Sequence, residues 1–74
     1  MKKFVPAEYE ELFDVSVADV QVCEGKEVVA VYLGEDEWCP YTGVEYADGT
    51  FSICGVGSDS VVTKEEMEWM LQQC

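Results

Sequence analysis

The pattern of apolar and polar positions predicts two paired strands in the middle of the chain. A continuous run of six apolar residues, rich in β-branched types, occupies 28–33 and predicts a strand covered on both faces. Alternating valines predict an earlier strand over 19–23, and the turn residues at 24–27 predict that the two strands pair. We therefore expect the strand at 28–33 to lie at the centre of the fold.

A β-hairpin is predicted around Asp48 and Gly49, because an Asp-Gly pair favours a two-residue turn with positive φ at both positions. In the register that this turn sets, Glu45 lies opposite Ser52, with both side chains on one face. The apolar side chains expected on the other face are Val44, Tyr46, Phe51 and Ile53.

Each end of the chain carries the pattern of a short amphipathic helix. Pro6 suits the first helical position, and apolar residues then recur at helical spacing: Tyr9, Leu12 and Phe13. Thr63 and Glu66 form the sequence pattern of a capping box, which predicts that the second helix begins after Thr63. The stripe of that helix expected to pack on the sheet consists of Met67, Met70, Leu71 and Cys74.

Together these elements predict a single α+β domain over 1–74. The expected architecture is a small antiparallel sheet of about four strands, with the C-terminal helix packed on one face and a short N-terminal helix. A small SH3-like β-barrel is the alternative, because short strands in meander order can also curl closed.

The balance of charge is strongly acidic. Sixteen carboxylates oppose four lysines, which gives a formal net charge of -12, and no basic residue occurs between Lys26 and Lys64. A surface of this kind repels nucleic acid and anionic membranes and attracts basic proteins. The alternative is that the acidity only keeps a small protein soluble.

Aromatic side chains among carboxylates are the candidate binding residues. In the loop at 34–43, Trp38 and Tyr41 accompany an acidic run, and Trp69 lies on the polar side of the second helix, near Glu65. Aromatic rings stack on guanidinium groups while carboxylates pair with them, so this composition suits an arginine-rich partner. The predicted partner-binding residues are Glu35, Asp36, Glu37, Trp38, Tyr41, Glu45, Asp48, Glu65 and Trp69. Alternatively, Trp38 closes the end of the sheet and neighbouring segments cover Trp69.

The sequence predicts no catalytic residues, no metal and no cofactor, and hence a protein that is not an enzyme. It contains no histidine, the side chain that most often transfers protons near neutral pH. Its four cysteines are too widely spaced for a Cys-x-x-Cys zinc site. We expect Cys23 and Cys54 to be small core residues in strands, and Cys39 to be a loop thiol whose pKa is raised by nearby carboxylates.

A small acidic chain without an active-site motif is expected to act by binding. In size and charge it resembles the anti-defence proteins made by phages, including anti-CRISPR inhibitors. That resemblance implies a nucleic-acid mimic that blocks the basic surface of a nucleic-acid-processing protein, without itself binding nucleic acid or a membrane. The alternative is a small protein-protein interaction module or subunit. The sequence lacks the patterns of a secretory signal and of a membrane span, so a cytoplasmic location is expected, in the host if the protein is phage-encoded.

Overall fold

A computed structural model of the chain describes residues 1–36, 38–55, 57 and 59–73. Within these residues, one open antiparallel sheet is formed by β1 (Lys2–Phe4), β2 (Val28–Leu33), β3 (Thr42–Tyr46), β4 (Phe51–Cys54) and β5 (Ser60–Val62). The two α-helices are α1 (Pro6–Phe13) and α2 (Lys64–Gln72). The α+β prediction is therefore confirmed, and the open sheet shows that the alternative of a closed barrel is wrong.

The predicted strand at 19–23 is wrong. That segment follows a 3-10 helix, Val17–Asp19, and consists of turns and bends. Its backbone is hydrogen-bonded to a side chain and not to a neighbouring strand. The Val22 and Cys23 N–H groups both donate to the Tyr46 hydroxyl at 3.0 Å. The sheet has the order β1-β2-β3-β4-β5, so β2 pairs with β1 and β3, and β3 is the middle strand.

The two faces of the sheet are covered by different parts of the chain. On one face, α2 packs on a buried cluster made of Ala30, Tyr32, Ile53, Met67 and Leu71. Gly43 gives α2 room on this face, because a Cβ atom there would lie 2.5 Å from the Met67 Sδ atom. On the other face, α1 contacts β2, where Val31 is fully buried. Strand β2 is thus covered on both faces over Ala30, Val31 and Tyr32, as predicted, whereas Val29 is 38% exposed.

The hairpin between β3 and β4 forms, but not with the predicted two-residue turn. The Gly49 N–H donates to the Tyr46 carbonyl at 3.0 Å, and the Tyr46 N–H donates to the Thr50 carbonyl at 2.9 Å. The connection is therefore a three-residue loop, in which Gly49 has a φ of 86°. Such a loop ends with a glycine in the left-handed region, so an Asp-Gly pair fits it as well.

The longer loop shifts the register of the hairpin by one residue relative to the prediction. Val44 now faces Ser52, and Glu45 faces Phe51. A one-residue shift moves side chains to opposite faces of a strand, so Ser52 is buried instead of exposed. Phe51 and Ile53 lie on the α2 face, whereas Val44 lies on the α1 face.

Both helices occupy their predicted positions, although α1 buries less than expected. Tyr9 is buried, but Leu12 is 65% exposed and Phe13 is 47% exposed, so the predicted buried stripe of α1 is wrong beyond Tyr9. In α2 the predicted capping box is present, with Thr63 Oγ1 accepting from the Glu66 N–H at 3.1 Å. Met67 and Leu71 are buried and Met70 is half-buried, while Cys74 lies outside the described residues.

Candidate functional site

The exposed side of α2 carries an aromatic ring flanked by carboxylates. Trp69 is 62% exposed and lines a shallow groove of about 380 Å³ together with Glu65, Glu66 and Met70. We call these four residues the tryptophan groove. Since Met67 on the opposite side of the helix is fully buried, α2 holds the groove in a fixed position on the sheet. The prediction that Trp69 lies off the buried stripe is confirmed.

The acidic loop between β2 and β3 presents a second exposed tryptophan. Trp38 is 84% exposed, so it does not close the end of the sheet. Asp36 Oδ1 accepts from the Trp38 N–H at 2.9 Å, which orders the loop backbone at this point. Glu35 is exposed and accepts a hydrogen bond from the Met1 ammonium group. Glu37, a further predicted site residue, lies outside the described residues.

Tyr41, the other aromatic residue predicted in this loop, differs from Trp38. It is half-buried and packs against the core cluster under α2. Gly55 faces its ring so closely that a Cβ atom there would collide with it. Tyr41 therefore packs within the fold, whereas Trp38 is exposed.

The carboxylates of Glu45 and Asp48 already have partners within the chain. Glu45 Oε1 accepts from the Tyr32 hydroxyl at 2.8 Å on the α2 face of the sheet. Asp48 pairs with Lys26 Nζ at 3.0 Å and accepts from the Thr50 N–H at 3.0 Å. Hydrogen bonds from Thr50, followed by the one from Lys26, lower the pKa of Asp48 to about 2. Both carboxylates thus have partners within the chain, and their binding role stays a prediction.

The contact between Tyr32 and Glu45 makes stability depend on pH. Burial and then the hydrogen bond to Glu45 raise the pKa of Tyr32 to about 12. The folded protein therefore holds this proton more tightly than the unfolded chain, in which the tyrosine pKa is about 10. The stabilisation that this raised pKa provides is fully present below about pH 10. The free energy of unfolding is expected to fall as the pH rises from there toward about 12. Urea unfolding curves measured across this range should show a shallower fall in Glu45→Gln, and an identical fall would contradict the assignment.

The acidic residues are spread over the molecule. Of the fifteen carboxylates that the structure describes, Glu45 and Glu68 are half-buried and the other thirteen are exposed. They occur in both helices, in the loops and beside the hairpin turn. Charge alone therefore does not single out one face, and the exposed tryptophans are the features that distinguish local sites.

The three cysteines that the structure describes comprise one disulfide-bonded residue and two free thiols. Cys39 is disulfide-bonded, so the prediction that it is a loop thiol is wrong. Cys23 and Cys54 are free and half-buried, with Cys54 in β4 and Cys23 in the turn-rich segment rather than in a strand. Burial, followed by a hydrogen bond with Asp59, raises the pKa of the Cys54 thiol, which disfavours the nucleophilic thiolate. Within the described part of the chain, no three cysteine or carboxylate side chains group as metal ligands.

An aromatic-lined cleft was not predicted from the sequence. It has a volume of about 350 Å³ and lies between β1, α1 and the loop after β2. Its lining includes four aromatic residues and one lysine, namely Phe4, Tyr9, Phe13, Tyr41 and Lys2. We call this site the aromatic cleft. The recurrence of aromatic residues at 4, 9 and 13 was the available signal, but without β1 nothing placed them beside the loop.

Neither α1 nor α2 has the length and apolar character needed to cross a membrane. Among the residues that the structure describes, the candidate sites are the exposed tryptophans Trp38 and Trp69 and the aromatic cleft. Comparisons with protein-family models, with curated proteins and with solved structures find no match to this chain.

Proposed function

We propose that this chain is a non-enzymatic acidic binding protein that occupies the basic surface of a nucleic-acid-processing protein. The observation that carries the proposal is the tryptophan groove, in which Trp69 is 62% exposed beside Glu65 and Glu66. A large exposed ring on a rigid helix loses little side-chain entropy on binding, and tryptophan is enriched among the residues that dominate binding energy.

The chemistry of the groove suits an arginine side chain. A guanidinium group can stack on the Trp69 ring while the neighbouring Glu65 carboxylate pairs with it. Glu66 is less available, because its carboxylate accepts from the Thr63 N–H at 3.1 Å in the capping box. We therefore expect Trp69 and Glu65 to make the short-range contacts that define orientation.

The large negative net charge supports a role in capturing the partner. A net charge of -12 on 74 residues attracts a basic surface over a distance comparable to the Debye length, about 8 Å at physiological ionic strength. Proteins that bind nucleic acid gain much of their affinity from lysine and arginine contacts with phosphates. Carboxylates on this chain would occupy the same cations, so the complex should compete with nucleic acid and weaken as salt is added.

A finer form of the proposal concerns the biological setting. In size and charge the chain is similar to phage anti-defence proteins, including anti-CRISPR inhibitors. The target would then be a nucleic-acid-processing enzyme of a host defence system, and the protein would act in the host cytoplasm.

The direct test uses two model ligands, an arginine-rich and a lysine-rich peptide of equal length and charge, titrated by isothermal calorimetry. We expect the arginine peptide to bind more tightly, and Trp69→Ala to weaken it by about tenfold while removing its advantage over the lysine peptide. Glu65→Gln should weaken binding more than Glu11→Gln, which removes the same charge from an exposed position on α1. Equal affinities for the two peptides, or no effect of Trp69→Ala, would contradict the proposal.

The second candidate is a protein-protein interaction module whose acidity serves solubility. The observation that favours it is the spread of carboxylates over both helices and the loops, which marks no single acidic face. Purified nucleic-acid-binding enzymes with basic grooves distinguish the two functions. A mimic should displace DNA or RNA from at least one such enzyme, and added salt should abolish the effect. If no enzyme is displaced, or if displacement is insensitive to salt, the mimic function is wrong.

A further inference from the structure

We propose that the aromatic cleft binds a small aromatic carboxylate, with the ring of the ligand among the aromatic side chains and its carboxylate on Lys2. The proposal does not depend on the acidic surface or on the tryptophan groove, since Lys2 and the aromatic rings of the cleft belong to neither.

Aromatic side chains form much of the wall of the cleft. The Phe13 ring meets Phe4 edge to face at a centroid distance of 5.8 Å and lies 5.1 Å from Tyr9 in a tilted arrangement. The loop after β2 contributes Tyr41, and β2 contributes Leu33. A volume of about 350 Å³ lies at the lower end of the range typical of small-molecule sites. This size and lining suit a compact aromatic body rather than a long chain.

The charge at the cleft selects an anion. Lys2 is exposed and lines the cleft, whereas Lys26 is paired with Asp48 at 3.0 Å. The nearby Glu35 carboxylate accepts a hydrogen bond from the Met1 ammonium, which lowers the pKa of Glu35, with a smaller contribution from Lys2. Glu35 therefore has the Met1 ammonium as its principal partner, and its interaction with Lys2 is the weaker one.

The acidity of the rest of the surface does not prevent this binding. At physiological ionic strength, exposed charges farther apart than about 8 Å are largely screened. A carboxylate in contact with Lys2 therefore interacts with that ammonium group at short range, whereas the more distant exposed carboxylates are screened. An arginine or lysine side chain from a partner protein is a poor occupant, because Lys2 would repel it.

Two matched probes, 2-naphthoate and the uncharged 2-naphthylmethanol, test the proposal by NMR titration of the isotopically labelled full chain. We expect 2-naphthoate to shift the amide signals of Leu33 and Gly34 in a saturable way and to bind more tightly than the alcohol. Lys2→Gln should weaken 2-naphthoate by about fivefold, the size of an exposed ion-pair effect, and leave the alcohol unchanged. Lys64→Gln, which removes the same charge from the start of α2, should change neither affinity.

A second variant separates the contribution of the rings from that of the charge. Phe13→Ala removes a wall of the cleft at a position that is 47% exposed, so the chain should still fold, and it should weaken both probes. The proposal is overturned if neither probe shifts the cleft amides, if the alcohol binds as tightly as the acid, or if Lys2→Gln and Lys64→Gln have equal effects. Because the tryptophan groove is intact in every variant, failure here would leave the proposed function unaffected.

Discussion

Replacing Met67 by alanine is expected to lower the free energy of unfolding by about 3 kcal/mol, the middle of the range for truncating a buried methionine. Met67 is fully buried and packs over Gly43, where the sheet has no side chain of its own. Gly43 itself has no side chain that could fill the space, so the substitution should leave a cavity between α2 and the sheet. Small domains are stable by roughly 5–15 kcal/mol, which makes this a large loss.

Urea unfolding followed by circular dichroism measures the effect. Met67→Leu is the matched control, because it nearly conserves volume and should cost less than about 1.5 kcal/mol. If alanine and leucine destabilised the protein equally, the loss would not come from a cavity, and the placement of Met67 over Gly43 would be in doubt.

The second large effect is expected from Tyr46→Phe, which should destabilise the protein by about 2 kcal/mol through unsatisfied polar groups. The Tyr46 hydroxyl accepts from the N–H groups of Val22 and Cys23, each at 3.0 Å. With both lone pairs occupied, its proton is directed to the Ser52 Oγ atom at 2.9 Å. This single hydroxyl therefore holds the segment after the 3-10 helix against the sheet.

Hydrogen exchange distinguishes this role from a general loss of packing. In Tyr46→Phe the amides of Val22 and Cys23 should exchange much faster, while amides in the middle of β3 should change only as far as global stability does. Ser52→Ala is the control, because it removes the third bond and leaves both amide bonds in place. Unchanged protection of the two amides in Tyr46→Phe would contradict the assignment.

Local signals in the sequence were sufficient for the helices and for β2. Pro6 and the Thr63 capping box act through contacts within a few residues, so they mark helix starts without knowledge of the rest of the fold. The three-residue strands β1 and β5 are too short to show a hydrophobic period. The segment at 19–23 has the alternation of a strand, but its backbone partner, Tyr46, is more than twenty residues away.

Of the candidate site, only the features that depend on local spacing could be predicted from the sequence. The exposed position of Trp69 follows from the helical spacing of the buried residues of α2, which is a local property. Trp38 and Tyr41 could not be ranked, because their exposure depends on how an irregular loop lies on the sheet. The cross-strand neighbour of Glu45 was predicted to be Ser52 and is Phe51, because an Asp-Gly pair does not determine the hairpin register uniquely. The aromatic cleft joins three separate segments, so the recurrence of aromatic residues at 4, 9 and 13 could not by itself predict it.

The three-residue hairpin loop also constrains how related chains can diverge. Loops usually tolerate insertions and deletions. Between Tyr46 and Thr50, however, losing or gaining one residue would exchange the two sides of β4, moving Ile53 away from α2 and bringing Ser52 beneath it. Evolution should therefore vary the amino acids of this loop more freely than its length, and a homologue with a length change there should carry compensating substitutions throughout β4.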